Sequence, residues 1–89
     1  MGTEQNLLAP TSLVIADVAA FWGQVRAGIS RGSLVVDLSK VERIDGAGAQ
    51  LLHLLVSQGG ASHITLQHPS QATVTLARGL GLEAVAALR

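Results

Sequence analysis

Residues 34–55 begin Leu34-Val35-Val36-Asp37-Leu38-Ser39, pass through Lys40-Val41-Glu42-Arg43-Ile44, and run on as Asp45-Gly46-Ala47-Gly48 into Ala49-Gln50-Leu51-Leu52-His53-Leu54-Leu55. The opening is short, rich in valine and almost wholly apolar. That pattern predicts a strand in the middle of a sheet covered on both faces. Ser39 to Ile44 reads as a connecting loop. From Ala47 onward, apolar residues at 47, 51, 52, 54, 55 and 56 make a wide helical face. Gln50, His53 and Ser57 fall on the other side at spacings of three and four. Asp45 stands where the N-cap of that helix belongs, because the first N–H groups of a helix lack intrahelical acceptors.

Upstream, Asn6 to Ala9 reads as a strand ending at Pro10, and an edge strand suits a proline neighbour. Val14, Val18, Phe21, Val25 and Ile29 form a helical stripe, so a first helix is expected from about Ala16. Ser30 to Ser33 is a loop broken by Gly32. Downstream, Ile64-Thr65-Leu66-Gln67 alternates as a half-buried strand does. Ser70 caps a third helix with Val74, Ala77 and Leu80 or Gly81 inward, and Leu82 to Leu88 is a short apolar tail. Strands thus alternate with helices. The reading is one α/β domain over residues 1–89, a small mixed sheet of about four strands with three to four helices mainly on one face.

Composition excludes several function classes. The chain has 89 residues, 48% hydrophobic and 13% charged, with six basic and six acidic side chains. A disordered chain needs the opposite balance. A neutral chain without a basic cluster offers little to phosphates, so nucleic acid is not an expected partner. No apolar run approaches the ~20 residues that span a bilayer, and residues 1–10 lack the regions of a signal peptide. With no cysteine, neither a disulfide framework nor thiol chemistry is available. The chain reads as cytoplasmic and not inserted in a membrane.

Residues 34–55 resemble the core signature of the STAS family: a central strand ending in Asp37-Leu38-Ser39, a short loop, and the Asp-x-x-Gly turn Asp45 to Gly48 opening an apolar helix. The strand at 64–66 and the helix at 70–82 fall where that family has its next strand and last helix. The resemblance implies a non-catalytic protein-binding regulatory module like the anti-sigma-factor antagonists, without a cofactor. It also implies two alternatives, a cytoplasmic STAS subunit of a lipid-transport ABC assembly and a chemotaxis-linked adaptor. The implied partners are accordingly a kinase-like anti-sigma factor, a transporter subunit or a chemotaxis component. Many members carry a phosphorylated Ser or Thr directly after the motif Asp. Here Gly46 takes that position and Ala47 follows, so the turn has no hydroxyl and no phosphorylation is expected there. Against fuller members the chain is expected to lack one N-terminal strand. That would leave edge strand 6–9 open to a second copy.

The expected partner surface comprises Ser39, Lys40, Glu42, Arg43, Asp45, Gly46, Ala47, Gly48, Gln50, His53 and Ser57. The plainer alternative is that Asp45 only caps and the glycines only shape a turn. His53, His63 and His68 do not suggest a metal site, since His63 and His68 bracket a strand and would lie about 17 Å apart at ~3.3 Å per residue. Gly46-Ala47-Gly48 lacks the third glycine of a dinucleotide loop and follows a loop, not a strand. Asp37 and Asp45 have no His, Ser or Lys spaced to complete a catalytic mechanism. Phe21 lies on the first helix's stripe. Trp22 is turned about 100° from it and is open to two readings, packing under a loop or an exposed anchor.

Overall fold

The computed structural model describes residues 4–59 and 64–89. In chain order the elements are β1 (Glu4–Leu8), β2 (Ser12–Leu13), α1 (Ile15–Ile29), β3 (Ser33–Asp37), β4 (Arg43–Ile44), α2 (Gly46–Gly59), β5 (Ile64–Gln67), α3 (Gln71–Gly79) and α4 (Glu83–Ala86). The α/β architecture expected from the alternation is present.

The main sheet has the order β1-β3-β5. Leu7 pairs with Val36, and Val36 with Leu66; Asn6 pairs with Val35, and Val35 with Thr65. The expected mixed pairing is not found among the described residues: every pair there is parallel. The cause is connectivity. A parallel neighbour needs a long crossover, and α1 and α2 supply the two crossovers between successive strands of this sheet.

Alternation along the strands sends Leu34, Val36, Ile64 and Leu66 to one face, where they are buried. Phe21 and Val25 of α1 and Ala49, Leu52 and Leu55 of α2 meet them there. Fully burying an apolar side chain of this size contributes roughly 1.5–3 kcal/mol. The opposite face carries Glu4, Asn6, Leu8, Val35, Asp37, Thr65 and Gln67, none of them buried. So, among the described residues, β3 is central but covered on one face only, which corrects the two-sided cover inferred from its apolar run. Val35 stays half-buried because Asn6 and Thr65 flank it in register.

Two further departures sit near the chain's middle and end. The loop Ser39 to Ile44 contains β4, which pairs with β2 through Ser12↔Arg43 and Leu13↔Ile44. Two-residue strands leave no periodicity to read. The C-terminal tail is helical over Glu83–Ala86, and its Val85 is fully buried. Gly81 turns the chain at φ 76°, and the Leu82 N–H reaches back to the Ala77 carbonyl at 2.8 Å. That is a glycine-terminated helix end, and it folds Leu82 and Val85 inward. Leu80, expected inward, is therefore 48% exposed, and Thr73 is buried with Ala77. Ser70 caps α3 as expected, its hydroxyl accepting the Thr73 N–H at 3.2 Å.

Candidate functional site

The starts of α1 and α2 lie side by side because one carboxylate serves both. Asp45 Oδ1 accepts the N–H groups of Ala47 at 3.0 Å and Gly48 at 3.1 Å, capping α2. Asp45 Oδ2 accepts the N–H of Ile15, the first residue of α1, at 3.0 Å. An anion between two helix N-termini meets the positive end of both dipoles. These donors hold the Asp45 carboxyl below its ordinary value of 3.8; Ile15 is the largest cause, ahead of Gly48 and Ala47. A second carboxylate completes the α1 start. Asp17 Oδ2 accepts the Ser12 hydroxyl at 2.7 Å and the Val14 N–H at 3.1 Å.

Gly48 locks the pair of elements together. A Cβ there would stand 2.1 Å from the Leu13 carbonyl oxygen, so only glycine lets the first turn of α2 lie against β2. Gly48 is therefore buried, although the sequence placed it on an accessible turn. Gly46 is the opposite case. It is exposed, and a Cβ there would meet nothing within 4 Å.

Of the other residues expected at the surface, Ser39, Lys40, Glu42, Arg43, Gln50 and Ser57 are exposed, and Ala47 is half-buried. The Ser39 N–H donates to Asp37 Oδ1 at 2.8 Å, and Ser39 holds the Asp37 carboxyl low. The Glu42 and Arg43 N–H groups both donate to the Thr11 carbonyl, which fixes the β2–β4 corner. His53 is half-buried, with its Nδ1 enclosed and without a hydrogen-bond partner among the described residues. His63 lies outside the described residues.

The sequence did not mark out what lies between the two helices. An apolar groove of about 700 Å³ runs between α1 and α2, with Ile15, Trp22, Ala47 and Leu54 among its lining residues and Ile29 and Ile64 contributing. Ile15 is 74% exposed, Leu54 51% and Trp22 40%. Three large apolar side chains, exposed around one groove, make the kind of patch that marks interaction sites on otherwise polar surfaces. Ala47 belongs to both the groove and the turn, so the two features are continuous. By sequence Leu54 falls on the apolar face of α2, and Ile15 precedes the expected helix start. Only the pairing of α1 with α2 brings them together.

No curated protein and no solved structure matches the chain. The family described as "Mlab, STAS domain" matches residues 3–89. That span takes in the β3 strand, the capped Asp45 turn and the closing helices alike, and the chain belongs to the STAS domain family.

Proposed function

We propose that this chain is a non-catalytic, cytoplasmic binding module whose protein partner seats on the α1–α2 groove and the adjoining start of α2. STAS domains generally act as regulatory modules through protein–protein contact. The observation that carries the reading is the convergence of Ile15, Trp22 and Leu54, exposed and apolar, beside Ala47 of the turn. Trp is enriched among residues that dominate binding energy, and a groove between helices suits an apolar insertion. Gln50 and Ser57, exposed on α2, and Ser39 to Arg43 supply the polar surroundings.

Gly46 makes this docking constitutive, since the turn offers no hydroxyl to a kinase. Permanent docking favours a subunit of a transporter assembly over an anti-sigma-factor antagonist or chemotaxis adaptor, which need a release step. Affinity capture from the native cell, with wild type beside Leu54→Asp, tests the reading. Wild type is expected to retain a transporter component that Leu54→Asp loses while keeping its helical circular dichroism. Equal capture by both proteins would remove the groove from the interface.

A further inference from the structure

Among the described residues, strand β1 lies at one edge of the main sheet, bonded to β3 on one side only. Its orientation is fixed by the next residue: the Ala9 N–H donates to the Asp37 carbonyl at 2.9 Å. Backbone direction alternates along a strand, so Leu7 and Gln5 also address β3. Glu4, Asn6 and Leu8 turn their N–H and C=O groups to the free side. Such a row is a template for another strand. Among the described residues, β1 contains no lysine or proline, and its register with β3 runs one-to-one without a bulge.

We infer that two copies of this chain associate through that edge, antiparallel, about a two-fold axis beside Asn6. In this register Asn6 faces Asn6 of the second copy, and Glu4 faces Leu8. Every outward N–H and C=O of Glu4, Asn6 and Leu8 then finds a partner. Glu4 is the only charged residue of β1. A pairing centred on Asn6 keeps the two Glu4 carboxylates about 14 Å apart along the strands at ~3.4 Å per residue. It also lays a Glu4 stem beside Leu8, which is 56% exposed. A parallel, head-to-tail pairing would leave another edge open, whereas the two-fold pairing closes. One strand pair buries less than the ~800 Å² per partner of a standard interface, so the association is weak. This interface lies on the sheet edge and is independent of the α1–α2 groove.

The absence of cysteine makes single-cysteine variants clean probes. Hydrogen-bonded antiparallel partners have Cα atoms ~5.5 Å apart, within disulfide reach. Under mild oxidation Asn6→Cys is expected to form a covalent dimer. Leu8→Cys, whose copies would stand about 14 Å apart along the strands, is expected to stay monomeric. In sedimentation equilibrium, Asn6→Pro is expected to weaken the wild-type dimer at least ~10-fold with its circular dichroism unchanged, because the Asn6 N–H points away from β3 and has no partner among the described residues. If Asn6→Pro misfolds, Asn6→Lys gives the same readout by placing two like charges at the axis. A wild type monomeric throughout without an Asn6→Cys crosslink, equal crosslinking by Leu8→Cys, or undiminished association of the folded variant would each overturn the inference.

Discussion

Asp45 Oδ2 accepts the backbone N–H of Ile15 across thirty residues of sequence, at 3.0 Å. Its other oxygen caps α2, so this side chain joins the fold before it touches any partner. Asp45→Ala leaves the N–H groups of Ile15, Ala47 and Gly48 without their acceptor and lowers Tm; Asp45→Asn keeps one acceptor oxygen and lowers it less. Thermal scans of the two variants beside wild type check the order. Loss of binding in either variant has to be read against that loss of fold.

The same carboxylate carries a pH dependence with a defined sign. Its folded value lies below the ordinary 3.8, so its contribution is fully present above that value and is lost as pH falls through it. Asp37, held low chiefly by Ser39, is present in both wild type and Asp45→Ala and so cancels from the comparison of the two. The Tm gap between wild type and Asp45→Ala is therefore expected to be constant from about pH 7 to about pH 5 and to shrink toward about pH 3. A gap independent of pH across that range would mean that the charged form is not what the helix starts bind.

Gly46 and Gly48 separate cleanly. Gly48→Ala drives a Cβ to within 2.1 Å of the Leu13 carbonyl, a backbone atom that cannot swing aside. Overpacking of this kind costs about 1–3 kcal/mol or more. Gly46→Ala meets open space on the first helical residue and is expected to stabilise by about 0.4–1 kcal/mol through the unfolded chain. Urea denaturation of the two variants checks both signs.

The sequence reading succeeds where information is local. The 64–67 strand, the Ser70 cap and the Asp45 cap rest on alternation and on side chains that bond within a few residues. Asp45 was visible as a cap for α2, but its second bond, to Ile15, depends on how α1 docks. The groove failed to appear for the same reason: Ile15, Trp22 and Leu54 belong to two helices, and their exposure is set by the space between them. Leu80 was misplaced because Gly81 lets Leu82 and Val85 fill the core that Leu80 was expected to enter. The missed β2–β4 pair is held by the Thr11 carbonyl, which periodicity cannot register.

Phe21 and Trp22 are neighbours with opposite tasks. Phe21 is fully buried, and Phe21→Ala is expected to cost about 3–5 kcal/mol of stability. Trp22 lines the groove half open, so Trp22→Ala is expected to cost under ~1.5 kcal/mol yet weaken partner binding ~10-fold or more. Trp22 is also the only tryptophan in the chain. Its emission should move to shorter wavelength when the groove is filled, so titrating the captured partner reads occupancy directly. An unchanged spectrum at saturation would put the partner elsewhere.

Gly46 also permits a gain of function. Its φ is not among the positive values, and its side-chain direction is open, so Gly46→Ser should fold as wild type does. It places a hydroxyl beside Asp45, on the first residue of α2. A STAS-directed kinase supplied in vitro is then expected to label Gly46→Ser and leave the wild-type turn unlabelled. Gly46→Asp tests the consequence without a kinase. It puts a negative charge at the end of the groove, next to Ala47, and is expected to weaken partner binding ~10-fold or more if that end is desolvated on docking. Gly46→Ala, uncharged at the same place, should bind as wild type does. If Gly46→Asp binds equally well, the partner does not cover the turn, and the missing hydroxyl has no bearing on how this chain is released.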